Sequence, residues 1–241
     1  MTSILATMCG PSRIQRPNHP ENLMKKTLLG LIAALAAVSA VPSHAAIVIT
    51  EVAPWASGNS AVGADWFELT NTGAVAVNLG GWSMDDSSAT AGVAPLTGIA
   101  SIAAGESVIF IEGSSSLNAT FLSTWFGSNA PAGLQIGNYA GSGVGLSTSG
   151  DAVNVFNAGG VSQASVSFGA STAGVTFDNA AGLSGSISQL SAVGVNGAFL
   201  SADGNEIGSP GAIAAVPEAD TYAMMLAGLG LIGAALRKRQ A

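Results

Sequence analysis

The chain has 241 residues, of which 32 are glycine and only 9% are charged. Every Lys and Arg lies at positions 13–26 or 237–239, and both histidines precede residue 46. The central segment 46–215 therefore holds eleven Asp and Glu side chains and no cation. Because Cys9 also precedes it, this composition excludes Ser/His/Asp and Cys/His catalysis, disulfides, and the usual zinc and copper sites. It also excludes nucleic-acid binding, which needs cations to neutralise phosphates.

Residues 1–23 come before a second methionine at which translation can start. They contain three prolines, two arginines and no apolar periodicity, which is not typical of a folded element. We predict that the protein starts at Met24 and interpret 1–23 as an upstream extension created by a misread start codon. The alternative is a long charged region at the start of the signal peptide that follows.

Residues 24–45 have the three parts of a secretory signal peptide. Two lysines precede an eleven-residue apolar run, 28–38, and small residues follow it. The small residues that mark the cleavage region are Ser43, Ala45 and Ala46. This order predicts a signal helix that the secretion machinery recognises and that is cut off after Ala45 or Ala46. The alternative is an uncleaved amino-terminal anchor, which the short apolar run disfavours.

Segment 46–215 predicts an all-β fold, one β-sandwich domain. Short runs of strand type alternate with turns rich in Gly, Asn, Asp and Ser. These runs are 47–52, 66–70, 74–79, 82–84, 107–111, 151–156 and 161–168. Residues 157–160 predict a hairpin between the last two runs, because Asn and Gly favour tight turns.

The second of these runs shows a clear strand alternation. Phe67 and Leu69 fall on one face, and Trp66 and Glu68 fall on the other. We predict that Trp66 and Trp82 fill the core between the two sheets, where each indole N–H needs a partner. Glu68 either faces water or accepts hydrogen bonds. Structural roles are therefore predicted for these three polar-tipped side chains.

One segment has helical rather than strand spacing. Its five large apolar residues fall at i, i+4, i+5, i+8 and i+9, the spacing of one helical face. They are Leu117, Phe121, Leu122, Trp125 and Phe126. We predict one short inserted helix, capped by Ser115 or Ser116, ended by Gly127, and packed against the sandwich. The alternative for this aromatic stripe is a ligand platform, although such stripes are more often core.

Six short motifs in segment 46–215 occur in the order of a known domain. They are 47–51 (Ile-Val-Ile-Thr-Glu), 65–71 (Asp-Trp-Phe-Glu-Leu-Thr-Asn), 79–85 (Leu-Gly-Gly-Trp-Ser-Met-Asp), 102–108, 149–155 and 208–211 (Gly-Ser-Pro-Gly). With these motifs the segment resembles a lamin-tail domain. The resemblance implies an immunoglobulin-like sandwich, lengthened here by the inserted helix and a Gly/Ser-rich second half. It implies no single activity, because bacterial members act as surface proteins or as modules attached to other functions.

Residues 216–241 form a tail with three parts. Pro217 and Glu218 precede an uncharged apolar run, 222–236, which ends at a basic cluster. The cluster is Arg237, Lys238 and Arg239. As a helix the run reaches about 22 Å, whereas a usual membrane span needs roughly 20 apolar residues, or about 30 Å. Its lack of a polar face still predicts a transmembrane-like helix whose basic end stays in the cytoplasm. The alternative is a buried helix that closes a soluble domain.

The same three parts, in the same order, resemble a PEP-CTERM sorting signal. Its motif residues are Val216, Pro217, Glu218 and Ala219, with Ala219 at a position where the family has proline. The resemblance implies export, retention in the membrane by the tail, and cleavage near the motif. It names the cleaving partner as an exosortase, a membrane-embedded transpeptidase-like protease.

The eleven carboxylates leave two kinds of site open. Calcium takes oxygen ligands alone, so the composition allows a calcium site, although no cofactor is required. Its candidate ligands are Asp65, Glu68, Asp85 and Asp86. The alternative is a solvated acidic surface that keeps an exported protein soluble. A pair of carboxylates can also serve a glycosidase, but no spacing in the sequence selects a pair.

Together these features predict an exported, non-enzymatic surface or extracellular-matrix protein. It is expected to be anchored in the membrane by its tail and then found at the cell surface or outside the cell after processing. A link to extracellular polysaccharide or biofilm follows only from the sorting-signal resemblance. The alternative function is a secreted carbohydrate-active enzyme that depends on carboxylates.

Overall fold

Strands are the main regular secondary structure in the part of the chain that the computed structural model describes, residues 47–212 and 228–230. Fourteen short strands fall in this part. In chain order they are β1 (Ile47–Ala53), β2 (Trp66–Asn71), β3 (Val77–Asn78), β4 (Ser83–Asp85), β5 (Ala94–Pro95), β6 (Ser101–Ile102), β7 (Ser107–Glu112), β8 (Gln135–Tyr139), β9 (Asp151–Phe156), β10 (Ser162–Phe168), β11 (Phe177–Asp178), β12 (Gly185–Ile187), β13 (Phe199–Leu200) and β14 (Ile207–Gly208).

Ten of these strands form two five-stranded sheets. The spatial order is β11-β1-β2-β7-β8 in the first sheet and β12-β10-β9-β4-β5 in the second. Neighbouring strands are antiparallel, except for the parallel pairs β7–β8 and β10–β12. The other four strands pair as β3–β6 and β13–β14. The predicted β-sandwich and its β9–β10 hairpin are both confirmed.

The inner core fills the space between the two sheets. Phe67 and Phe110 of the first sheet belong to one buried cluster with Met84 and Val155 of the second. The rings of Phe67 and Phe110 stack with their centroids 5.7 Å apart. Trp82 is buried in the same cluster, which confirms its predicted place between the sheets. Burying each such large side chain stabilises the fold by roughly 1.5–3 kcal/mol.

The predicted helix forms and is named α1 (Asn118–Phe126). The prediction that a serine side chain caps it is wrong. A 3-10 turn, Ser115–Leu117, leads directly into the helix. Backbone hydrogen bonds of the turn therefore occupy the position where a capping side chain would act. Leu117 is the residue before the first helical turn, and no side chain caps the helix there. Gly127 ends the helix with a positive φ of 58°, as predicted.

The outer core lies on the opposite face of the first sheet, beneath α1. Trp66 packs edge-to-face against Phe121 and Trp125, with ring centroids 5.4 Å and 5.5 Å away. The prediction that Trp66 lies between the sheets is therefore wrong, because the helix covers its face of the sheet. The aromatic stripe serves the outer core, which agrees with the packing interpretation. Both faces of the first sheet are buried as a result.

Of the strand predicted at 74–79, only the two residues of β3 are in a strand. The cause is Asn71, whose side chain accepts a hydrogen bond from the Gly73 N–H and donates one to the Val75 carbonyl. These bonds fix a turn where the sequence pattern suggests extended chain.

Several predicted features lie outside the described residues. These are the signal helix, the cleavage region at 43–46, the sorting motif at 216–219 and the basic cluster at 237–239. Of the tail helix, only residues 228–230 are described, and they are helical. Within the described ranges, no helix is both long enough and apolar enough to cross a membrane.

Candidate functional site

Six of the eleven carboxylates in segment 46–215 are buried inside the protein. They are Glu51, Asp65, Glu68, Asp85, Asp178 and Glu206. The alternative of a solvated acidic surface is therefore wrong for more than half of the carboxylates. Each buried carboxylate accepts hydrogen bonds from N–H or O–H groups of the chain itself, which replace the water lost on burial.

A bulge in β1 brings two of these carboxylates together on the outer face of the first sheet. β1 pairs with β2 so that Ile49 is opposite Leu69 and Glu51 is opposite Glu68, which leaves Thr50 as the extra residue. Directly opposed residues of an antiparallel pair have Cβ atoms only about 4.5–5.5 Å apart. The bulge thus places Glu51 and Glu68 side by side and adds the hydroxyl of Thr50.

Glu51 is held through one of its two oxygens. Its Oε1 accepts a hydrogen bond from Thr176 Oγ1 at 2.5 Å and another from the N–H of Ser209 at 2.7 Å. The Thr176 hydroxyl also lies 2.7 Å from Ser191 Oγ. Oε2 of Glu51 is buried and has no hydrogen-bond partner within the described residues. Protonation of this oxygen would remove the cost of an unpaired negative charge at a buried position.

Glu68 is held through both of its oxygens. Oε1 accepts a hydrogen bond from Thr50 Oγ1 at 2.5 Å, and Oε2 accepts one from the N–H of Gly211 at 2.6 Å. The Thr50 hydroxyl continues into a chain of hydroxyls, with Thr70 at 2.9 Å and then Ser107 a further 2.6 Å away. Of the two environments predicted for Glu68, the hydrogen-bonded one is confirmed.

Burial changes the protonation of this carboxyl pair. It raises the pKa of Glu51 from its ordinary value of 4.5 to about 7. Burial, and then the negative charge of Glu51, raise the pKa of Glu68 well above its ordinary value. Two buried carboxyls at adjacent positions do not both ionise, because each negative charge disfavours the other. The pair therefore holds a proton at neutral pH.

Residues 206–212, the last of the described range 47–212, cross over the pair and are named here the closing segment. The backbone N–H of Ser209 donates a hydrogen bond to Glu51, and that of Gly211 donates one to Glu68. At Gly208 there is no room for a side chain, since an added Cβ would lie 2.5 Å from Glu51 Oε1 and 2.8 Å from the Trp125 ring. The closing segment thus lies directly on the carboxyls and separates them from solvent.

The four calcium candidates divide between the two sheets. Asp65 is buried, accepts a hydrogen bond from the Ser57 N–H at 2.8 Å, and has a pKa raised by burial. Glu68 belongs to the carboxyl pair. Asp85 is also buried and accepts hydrogen bonds from the Ser88 hydroxyl at 2.5 Å and from the Thr90 N–H at 2.6 Å.

The fourth calcium candidate, Asp86, is half-buried and accepts a hydrogen bond from the Ser88 N–H at 2.8 Å. In the described part of the chain, no three His, Cys, Asp or Glu side chains form a group that could hold a metal ion. Calcium binding stays a prediction.

Most of the residues around the pair could not be singled out from local sequence patterns. Thr176 is 125 positions from Glu51, Ser209 is 158 positions from it, and Gly211 is 143 positions from Glu68. One signal was present: Glu51 and Glu68 each stand among apolar residues of a strand, where an unpaired carboxylate is costly. A search for partners of those two side chains would have led to the closing segment.

A family model for the Lamin Tail Domain matches residues 40–170, which is more than half of the chain. The chain belongs to the Lamin Tail Domain family. The lamin-tail match includes both members of the carboxyl pair, whereas their donors Thr176, Ser209 and Gly211 lie beyond it. A second model, for the PEP-CTERM protein-sorting motif, matches residues 215–240. This motif implies an exported protein of the cell envelope that an exosortase processes. No curated protein and no solved structure matches the chain.

Proposed function

We propose that this lamin-tail protein is a non-enzymatic component of the cell surface or extracellular matrix. Its tail anchors it in the membrane until an exosortase cuts near Pro217 and Glu218. The observation that carries the proposal is the position of the closing segment, whose hydrogen bonds to the carboxyl pair come from Ser209 and Gly211, before the sorting-motif match begins at 215.

A cut at the sorting motif is compatible with the contacts that hold the body. The last of these are the bond from the Gly211 N–H to Glu68 and the bond from the Ala212 N–H to the Ser209 carbonyl at 2.9 Å. Both stay on the body side of a cut near Pro217. The released body would therefore keep its carboxyl pair covered and its fold unchanged.

A non-enzymatic role is supported by the location of the paired carboxyls. A glycosidase needs two carboxyl groups open to its substrate. Glu51 and Glu68 are fully buried beneath the closing segment and have no such access. Among the described residues, every Trp, Tyr and Phe is buried or half-buried, so none provides an exposed ring on which a sugar would stack. The carbohydrate-active enzyme remains the alternative, and a screen for glycan hydrolysis separates the two.

The proposed association with extracellular polysaccharide rests on the sorting motif. The body has no cation for pairing with acidic sugars, so hydrogen bonds from its many Ser, Thr and Asn side chains would have to provide the contact. Co-sedimentation of the purified body with matrix polysaccharide from the native host tests this association. A body that stays in the supernatant would remove polysaccharide from the proposal and leave surface display.

The deciding test of processing is the intact mass of the protein recovered outside the native host. We expect a mass that starts near Ala46 and ends near Pro217. Replacing Pro217 and Glu218 with Ala should leave membrane insertion intact and block processing, so the larger form accumulates in the membrane. Thr221→Ala, in the same segment but outside the motif, is the matched control. Extracellular protein whose mass still includes 222–241 would overturn the proposal.

The basic cluster provides a separate test of anchoring. Replacing Arg237, Lys238 and Arg239 with Gln removes the charges that keep the end of the tail in the cytoplasm. We expect less precursor in the membrane fraction, with the stability of the body unchanged. Equal retention of the two forms would show that these cations do not fix the tail.

A further inference from the structure

The described body ends at Ala212, where two neighbouring loops meet the chain. A Cβ atom added to Gly197 would lie 2.8 Å from the Cβ of Ala212. A Cβ atom added to Gly211 would lie 3.0 Å from Leu134 Cδ1. The described range 47–212 therefore ends between the loop that contains Gly197 and the loop that contains Leu134.

These two loops, 128–134 and 192–198, are named here the exit surface. Neither loop contains a charged residue. Val193 is 61% exposed and Val195 is 45% exposed, although both are apolar. Backbone hydrogen bonds within 192–198 hold its turns, so the valines are presented on a fixed loop.

Two carboxylates beside the exit surface are turned inward, whereas Asp203 is exposed next to the end of α1. Asp178 is buried and accepts a hydrogen bond from Asn196 Nδ2 at 2.8 Å. Glu106 is half-buried, and both of its oxygens are occupied, one by Gln135 Nε2 at 2.7 Å and the other by the Ala103 N–H at 2.6 Å. The exit surface is therefore apolar and uncharged where the chain emerges.

The chain beyond the body is short. Ten residue steps separate Ala212 from Tyr222, where the apolar run of the tail begins. Fully extended they reach at most about 35 Å, and as a flexible linker they average about 17 Å. A tail held in the bilayer would keep the exit surface within that distance of the lipid. Such a short tether raises the effective concentration enough for a weak contact to form.

We propose that the exit surface rests on the lipid headgroup region of the bilayer while the tail is attached. The inference rests on the proposed function, in which the tail anchors the precursor. Because the exit surface has no cation, the contact is apolar and needs no anionic lipid. Two valines are too little apolar surface to hold a free domain on a membrane, so the contact ends when the tail is cut.

The test uses the mature full-length chain, which contains no cysteine once the segment with Cys9 is removed. Val193→Cys and Val195→Cys each carry an environment-sensitive fluorophore. Val161→Cys is the matched control, because Val161 is 59% exposed but lies in the hairpin of the second sheet. The proteins are reconstituted in phosphatidylcholine vesicles with brominated acyl chains that quench nearby fluorophores.

We expect a blue shift and quenching at positions 193 and 195, none at 161, and no effect at any position when the chain ends at Ala212. Added anionic lipid should not strengthen the effect. Equal signals at 193 and 161, or none at 193 and 195 in protein that floats with the vesicles, would overturn this inference alone. A shift in the tail-less body that grows with its own concentration, without lipid, would overturn it in favour of a second copy. A full-length chain that does not float with vesicles would overturn the proposed anchoring as well.

Discussion

The two faces of the first sheet are both buried, but different chemistry buries them. On β2, Phe67 and Leu69 face the apolar inner core, whereas Trp66 and Glu68 face the helix and the closing segment. Packing stabilises the inner face in a way that does not depend on pH. The outer face depends on the protonation of two buried carboxyls and on backbone donors far along the chain. Two strategies of burial therefore coexist on one strand, and they should fail under different conditions.

The largest effect should come from removing the cover of the outer face. A chain that ends after Asn205 lacks the closing segment, so Glu51 and Glu68 each lose a backbone donor. A hydrogen bond contributes about 1.5–3 kcal/mol when its acceptor is charged and about 0.5–1.5 kcal/mol when it is neutral, so with one carboxyl of the pair ionised the expected loss is about 2–4.5 kcal/mol before any loss of packing. Urea unfolding followed by tryptophan fluorescence measures it. A chain that ends after Ala212 is the control and should match the body in stability.

If the chain ending after Asn205 unfolds at the same urea concentration as the control, the closing segment is not part of the cooperative fold. The two faces of the first sheet would then differ only in the residues that they contain, and not in how burial stabilises them.

Phe110→Ala removes packing from the inner face. Truncating a buried phenylalanine usually costs about 3–5 kcal/mol. Because no carboxylate belongs to the inner core, we expect the same loss at pH 5.5 and pH 8. Unfolding curves at the two pH values check this. A loss that changes strongly with pH would mean that the two faces are coupled.

The pH dependence of folding stability tests the outer face. The pKa of Glu51 is raised from 4.5 to about 7, so the folded state binds more protons than the unfolded state between these values. Its contribution to stability is fully present below about pH 4.5 and is lost as pH rises through about 7. For one fully buried group this amounts to a loss on the order of 3 kcal/mol. Thermal midpoints between pH 4.5 and pH 8 should fall accordingly.

Glu51→Gln should reduce the slope of that pH profile, leaving the part that burial of Glu68 contributes. The glutamine is neutral at every pH, and its carbonyl oxygen can accept the bonds from Thr176 and Ser209. Its amide would then take the place of Oε2, which has no partner in the described residues. A slope that is unchanged in Glu51→Gln would assign the pH dependence to other groups.

Calcium should have the smallest effect. The oxygens of Asp65 and Asp85 already accept N–H or O–H donors of the chain, and Glu68 accepts two. We therefore expect calcium chloride to shift the thermal midpoint no more than sodium chloride at equal ionic strength, since both act by screening. A larger shift with calcium, together with saturable heat in a calorimetric titration, would establish a site.

Local sequence patterns predicted the elements whose contacts are near in sequence. The alternation in β2 assigned Phe67 and Glu68 to opposite faces, and the spacing of Phe121 and Trp125 indicated the helix. Periodicity says that two faces differ, but it does not say whether the second face is covered. That depended on the packing of α1 and of the closing segment, which is why Trp66 was assigned to the wrong core.

Asp178 shows the same limit at one residue. Its Gly- and Ala-rich surroundings indicate a loop, yet it is buried in β11, at the edge of the first sheet beside β1. Its carboxylate accepts hydrogen bonds from the Ala180 N–H at 2.8 Å and from Asn196 Nδ2 at 2.8 Å. The strand exists because β1 pairs with it across more than a hundred residues, and no local pattern reports such a pairing.

The burial of the carboxylates also affects how other enzymes would treat this protein outside the cell. Between Lys26 and Arg237 there is no Lys or Arg, so a trypsin-like protease has no bond to cut in the body. Proteases that cut after acidic residues find six of the eleven buried, and these become accessible only when the fold opens. The body should therefore persist among secreted digestive enzymes. Standard tryptic peptide mapping would return it as one large fragment, which makes the protein easy to overlook in a proteome.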